Sequence, residues 1–259
     1  MAEQTKAQVK HFVQEHRKQL PRVGTRKLYY LMQDELHDNN IKFGRDKVFD
    51  LLRENDLLIK PRRRYVQTTM SKHWMRKWPN IVKEKTVTQP DEVWVSDITY
   101  LKTDEGTCYL NMITDAYSRK IVGYALADSM ETEQMIGALR MAVEHKGKTD
   151  IATIHHSDRG IQYCSKEYGR MTAQHNIRLS MTENSDPYEN ALAERMNRTM
   201  KEEFGLHATL LNFHQAQRLV EESIALYNHK RPHLALAMQT PESIYNQQKS
   251  RPLSIVGTS

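Results

Sequence analysis

An α/β core behind an all-α module is the fold class this chain predicts, on three observations. Apolar residues in the first sixty positions recur at helical spacing; from Asp91 onward short β-type runs alternate with helical ones; and the balance of charge reverses near the same junction. Residues 1–90 hold 20 Lys and Arg against 10 Asp and Glu, whereas residues 91–259 hold 18 against 22. The first part therefore offers a surface for phosphates, because release of counterions from nucleic acid rewards clustered basic side chains. The second is too acidic to attract DNA by charge, unless some of its carboxylates serve to hold cations.

Within the first part, Val9, Phe12 and Val13 mark one helix, and Leu28, Leu31, Met32 and Leu36 mark a second after Gly24. A polar break at 37–40 precedes Gly44-Arg45-Asp46, which opens a third helix with Val48, Phe49, Leu51 and Leu52 on its apolar face. Three short helices with basic flanks predict a helix-turn-helix DNA-binding domain over 1–60, although a small bundle that merely packs shows the same pattern. Pro61-Arg62-Arg63-Arg64 begins an aperiodic stretch, read as a basic linker over 61–90, and the three arginines are expected to bind backbone phosphates.

The core is predicted over 91–250, with a tail at 251–259. Strands over 93–101, 108–114 and 120–127 are close enough to be joined as hairpins. A helical pattern through Ile136, Leu139 and Val143 leads to a fourth strand at 151–156. Then follow a helix near 165–176, a strand at 177–181, a helix from Asn190 to about Phe204, and a long helix at about 212–229. That order describes a mixed sheet with helices against it.

The chain is 259 residues long and 39% hydrophobic, enough for a conventional core. No run approaches the ~20 apolar residues of a membrane span, and the N-terminus has no apolar signal core, so a cytoplasmic protein without a membrane partner is expected. Cys108 and Cys164, the only cysteines, read as structural thiols of a reducing compartment.

Three acids stand where a carboxylate needs a purpose. Asp97 interrupts the otherwise apolar strand Trp94-Val95-Ser96-Asp97-Ile98-Thr99-Tyr100-Leu101. Asp158 follows the strand 151–156, at the carboxyl end where α/β proteins bind ligands, and Glu194 lies on the helix after it. Carboxylates gathered in one place repel unless a divalent cation neutralises them, and oxygen-only ligands with open positions select Mg²⁺, with Mn²⁺ as a substitute. A pair of such ions suits in-line displacement at a phosphodiester. Singly the acids are ambiguous, and Asp115 fits a strand-borne acid almost as well.

Thirty-five residues separate Asp158 from Glu194, and the acids sit in Ser96-Asp97-Ile98-Thr99-Tyr100, His156-Ser157-Asp158-Arg159-Gly160 and Asn190-Ala191-Leu192-Ala193-Glu194. With this spacing the sequence resembles the DDE transposase and retroviral-integrase superfamily, and within it the family-three bacterial insertion sequences. Gly24-Thr25-Arg26-Lys27-Leu28 with Val48-Phe49-Asp50-Leu51-Leu52 looks like that family's leading helix-turn-helix. Tyr227-Asn228, Arg231-Pro232-His233 and Thr240-Pro241-Glu242 look like its C-terminal signature. Ile161 replaces a usual serine, and Glu189 a usual aspartate.

The resemblance implies an RNase H-like integrase core in which Asp97, Asp158 and Glu194 are catalytic and bind two Mg²⁺ ions. It implies a transposase that cleaves 3′ ends of an insertion sequence and transfers them to target DNA. The partners implied are double-stranded DNA, as terminal inverted repeats and as target, and further copies of the chain in a dimer or higher multimer. An upstream-frame helix-turn-helix product, as partner or fusion, is a further expectation, and so is association with the bacterial nucleoid. Asn190, Glu194, Arg198 and Lys201 share one helix face; by resemblance Lys201 should meet the terminal DNA, with Arg198, Asn190, Arg26 and Lys27 as further contacts. His156 is as much a core residue as one that orients Asp158.

Other readings fare worse. Gly147-Lys148-Thr149 imitates the tail of a P-loop, but Ala142 holds the place of its first glycine. The histidines of the first 90 residues have no cysteine partner, so no zinc is expected. A tyrosine recombinase is suggested by His156, Arg159 and Tyr163 but leaves the spacing of the acids unexplained. A non-catalytic DNA-binding regulator derived from a transposase is the remaining alternative.

Overall fold

The computed structural model describes residues 2–60, 78–129, 132–183 and 190–249. Its first part is helical: α1 (Ala2–Gln19), α2 (Thr25–Leu31), α3 (Gln33–Asp38) and α4 (Arg45–Glu54). The residues whose spacing predicts the helices are the ones that pack, with Val9, Val13, Leu28, Met32, Leu36, Val48, Leu51 and Leu52 all buried in one cluster. The second expected helix is two helices. Met32 caps the end of α2 and the start of α3 with ψ at 0°, and this bend lets Leu28, Met32 and Leu36 all face inward. A hydrophobic period survives such a bend, so sequence spacing does not show it.

The core elements are β1 (Val93–Thr103), β2 (Gly106–Asp115), β3 (Ile121–Ala127), α5 (Thr132–Lys146), β4 (Thr153–Ser157), α6 (Lys166–Gln174), β5 (Ile177–Met181), α7 (Ala191–Glu203), α8 (Phe213–His229) and α9 (Pro241–Lys249). The strands form one sheet in the order β3-β2-β1-β4-β5, with β1 antiparallel to β2 and parallel to β4. This is the five-stranded mixed sheet flanked by helices that an RNase H-like core requires. Period-two alternation along β1 sorts its side chains. Trp94 and Ile98 join α5 and α6 on one side, while Val93 and Val95 meet Ala193 of α7 on the other. At Gly123 a Cβ would stand 2.1 Å from the Ala138 carbonyl oxygen, so only glycine lets α5 lie this close to β3.

Of the stretch expected as linker, residues 78–90 pack against the core: Trp78, Ile81, Val82 and Val87 contact its clusters, and Ile81 N donates to Ser180 Oγ at 3.1 Å. Residues 61–77, Arg62, Arg63 and Arg64 among them, lie outside the described residues, as do Glu189 and the tail. α9 carries its own start signal, with Pro241 as first residue and Glu242 in the first turn. Tyr245 of α9 ties it to the sheet by donating to both carboxylate oxygens of Asp91 at 3.0 and 2.9 Å. Among the described residues no helix is long and apolar enough to cross a membrane. Cys108 and Cys164 are both buried and neither forms a disulfide.

Candidate active site

Asp97 lies opposite Met112 in the β1–β2 register, on the side of the sheet that α7 covers. Asn197 of α7 donates from Nδ2 to Asp97 Oδ2 at 2.8 Å. Burial, and after it the charge of Asp158, pushes the Asp97 carboxyl up to about 7, and Glu194 acts in the same direction; Asn197 and the backbone at Ile98 oppose the shift. Three acids from a strand, a loop and a helix thus share one electrostatic neighbourhood.

Three devices fix Asp158. Ser157, the last residue of β4, is the register partner of Ser96, so the loop that starts at Asp158 leaves β4 beside Asp97. Gly160 N then donates to Asp158 Oδ1 at 3.0 Å, and a Cβ at residue 160 would be 3.0 Å from that same oxygen. Arg159 anchors the loop to the end of β5, donating from Nε to the Thr182 carbonyl at 2.7 Å and from its terminal nitrogen to the Glu183 carbonyl.

Glu194 occupies the first turn of α7. Asn190, just before that helix, donates from Nδ2 to the Ser96 carbonyl at 3.0 Å and so pins the start of α7 to the residue preceding Asp97. Beneath β1 a buried triangle of Ser96, Asn111 and Tyr163 holds the strand, with contacts of 2.8 to 2.9 Å. Asn190 and Asn197 each leave a side-chain oxygen buried without a hydrogen-bond partner. Such acceptors, beside an Asp97 whose proton affinity is raised by burial and then by Asp158, fit a hard divalent cation. As they stand, no three His, Cys, Asp or Glu side chains among the described residues close around one ion.

The expected DNA contacts divide. Lys201 is half-buried, its Nζ 4.4 Å from the centroid of the Tyr100 ring, with burial lowering its pKa and Asp97 raising it. Arg198 and Arg26 are exposed. Asn190 is buried and its amide is directed at backbone. Lys27 faces inward: its side chain is 13% exposed, its Nζ is 3.5 Å from Glu203 Oε1 at the end of α7, and burial and then Arg231 hold its pKa down to about 8. Lys27 is therefore a packing cation in this structure, where the sequence suggests a DNA contact; the hydrophobic alkyl stem and an acid from a distant segment draw it inward.

The rival residues find structural partners. Asp115 is fully buried and accepts from Ser118 N, Ser118 Oγ and Asp91 N within 2.8 Å, the pattern of a turn. His156 is buried with Nδ1 bonded to Ser180 Oγ at 2.9 Å. Tyr163 has no exposed surface, and burial raises its hydroxyl pKa well above the usual value, which opposes use as a nucleophile. Asn197, bonded to Asp97, and Tyr100, against Lys201, lie at the candidate site and are missed by sequence reasoning; the signal for Asn197 is its place three residues after Glu194, on the same helix face.

Residues 87–187 match the integrase core domain family, and residues 175–241 match a second family that is also described as an integrase core domain. An uncharacterized 31 kDa protein of insertion element IS600 from Shigella sonnei is 37% identical over 220 residues, 84% of this chain and 79% of that protein. Transposase InsF for insertion sequence IS3fB from Escherichia coli (strain K12) is 30% identical over 227 residues, 83% of this chain and 75% of that protein. Among solved structures, a chain of the simian T-cell lymphotropic virus intasome in complex with PP2A regulatory subunit B56 gamma superimposes with a TM-score of 0.55. That match covers 91% of this chain and 80% of the other at 17% identity, a likeness of fold.

Proposed function

This chain belongs to the insertion-sequence transposases of the IS3 type, with an integrase core domain, and we propose that it cleaves DNA at the 3′ ends of its element and transfers them to a target through Asp97, Asp158 and Glu194. The observation that carries this reading is geometric: the Ser96–Ser157 register sets the loop that starts at Asp158 beside Asp97, and the Asn197–Asp97 hydrogen bond lays the helix of Glu194 over it. Asp97, Asp158 and Glu194 would hold Mg²⁺, and bound there the metal supplies activation of an attacking oxygen and stabilisation of the leaving oxygen.

The chain's own residues set the stage. Asn197 orients the Asp97 carboxylate, Gly160 N orients that of Asp158, and Asn190 pins the start of α7, whose first turn carries Glu194, to the residue before Asp97. Lys201 and the exposed Arg198 stand on the same helix to meet DNA phosphates, with Arg26 and, on sequence grounds alone, Arg62, Arg63 and Arg64 as further contacts. Two DNA ends need two sets of acids, so the working complex contains at least two copies of the chain on DNA.

The test is cleavage of a labelled duplex carrying one end of the element. The full chain should cut one strand with Mg²⁺ and not in EDTA, and Asp97→Asn, Asp158→Asn and Glu194→Gln should each lower the rate by roughly a thousandfold or more while still binding the duplex. Full activity in Asp158→Asn, or a covalent protein–DNA adduct, would overturn the assignment. Binding without cleavage by the unsubstituted chain would favour a non-catalytic regulator.

A further inference from the structure

Three residues past Asp97 on β1, Tyr100 is 40% exposed although its neighbours Thr99 and Leu101 are buried. Its register partner on β2 is Tyr109, and directly opposite side chains lie within about 4.5–5.5 Å at Cβ, so two tyrosines stand side by side. By this point β1 has run past the last β4 pairing, Ser96 with Ser157. The Lys201 ammonium sits 4.4 Å from the Tyr100 ring centroid, and α7, which carries it, also presents Glu194 and Asn197 to Asp97. At about 3.3 Å per residue, Tyr100 is some 10 Å along the strand from Asp97 and its side chain leaves the alternate face, so Lys201 of α7 reaches the ring past the stretch of β1 that β4 no longer covers; a few nucleotides at about 3.4 Å of rise each cover that distance around the strand.

An exposed ring with a cation against it, beside an acid that works on a phosphodiester, has the chemistry of a nucleotide: the ring offers a face to a base, and the ammonium a charge to its phosphate. We propose that Tyr100 is a DNA-contacting residue that stacks on a base next to the cut, while Lys201 passes from the ring to the adjacent phosphate. The proposal rests on the reading that a DNA strand lies over Asp97. Stacking tolerates any base, so Tyr100 holds the strand without reading its sequence. Free of DNA, the ring keeps the Lys201 ammonium close to the acids.

The experiment measures binding of the full chain to a labelled duplex end in EDTA, with each of the three nucleotides beside the mapped cut replaced in turn by an abasic site. On the natural end Tyr100→Ala should weaken binding by about tenfold or more, whereas Tyr100→Phe and Tyr100→Trp stay within about threefold. At one abasic position the Tyr100→Ala loss should vanish, because no base is left to stack. Lys201→Met should weaken every duplex alike and reduce the salt dependence by about one phosphate contact. Unchanged affinity in Tyr100→Ala overturns the proposal, as does a loss that persists at all three abasic positions, since the ring would then only support Lys201. No cleavage is read here, so this failure is separate from that of the metal site, which the Asp158→Asn assay decides; absence of binding by the unsubstituted chain to any end contradicts both.

Discussion

Asn197 is one residue through which the proposed site can be weakened without touching an acid. It donates to Asp97 at 2.8 Å from a buried position on α7, and groups that orient a metal-binding carboxylate in this way typically change affinity or activity by about 10–100-fold. Asn197→Leu, of similar size, should therefore retain the fold, judged by circular dichroism, and require a higher Mg²⁺ concentration for half-maximal cleavage. An unaltered Mg²⁺ dependence would show that the amide does nothing for Asp97. The acids themselves were legible because a charged residue inside an apolar strand, or just past one, has few structural excuses. Asp115 has one, since Ser118 and Asp91 satisfy it, but those partners come from a turn geometry that spacing does not reveal. Asn197 was illegible for a related reason: a polar residue on an amphipathic helix reads as solvent-facing until the neighbouring strand is in place.

At the scale of elements, α7 joins the two parts of the molecule. Its buried face, Ala193, Met196, Asn197 and Met200, packs on the sheet, and its last turn meets the helical part where Glu203 is bound by Arg231 at 2.6 and 2.8 Å and by Lys27 at 3.5 Å. Met200→Ala should cost about 2–5 kcal/mol in a denaturant titration and lower cleavage with it, because the helix carries Glu194. Lys27→Met should act differently. The lysine binds its proton more loosely when folded, with a pKa near 8 against 10.5 when exposed, so the unfolded chain holds more protons between those values and stability rises with pH across that window. Lys27→Met removes the group and its share of that rise. The variant should be as stable as the unsubstituted chain or more so at pH 7, its relative advantage shrinking toward pH 10, and its DNA affinity should be unchanged; a large fall in DNA affinity would restore Lys27 to the DNA surface. The existence and order of these elements followed from hydrophobic period. The packing of 78–90 and the contact of Lys27 with Glu203 did not, because each depends on segments far apart in the chain, and the break at Met32 did not because the hydrophobic period runs straight through it. α9 is too short for its hydrophobic period to mark it, although Pro241 and Glu242 supply a helix start.

For the whole molecule, the fold sets Asp158 and Glu194 within electrostatic reach of Asp97 across almost one hundred residues, and packs the helical part against the core that carries them. Light scattering of the chain with paired element ends should report at least a dimer, and a particle that stays monomeric would oppose joint action on two ends. The reversal of charge along the sequence fits the proposed division of labour between holding DNA and cutting it. What it did not convey is how closely the parts touch, because the shared cluster from Val9 to Tyr227 is assembled from residues that each look like ordinary core. The most direct measurement is iron-directed scission of the polypeptide: Fe²⁺ takes the place of Mg²⁺ in the DNA-bound chain, and ascorbate with peroxide generates radicals that break the backbone nearest the ion. The account predicts cuts confined to the neighbourhoods of Asp97, Asp158 and Glu194, suppressed by excess Mg²⁺ and lost in Asp158→Asn. Cuts elsewhere, or at only one of the three segments, would contradict it.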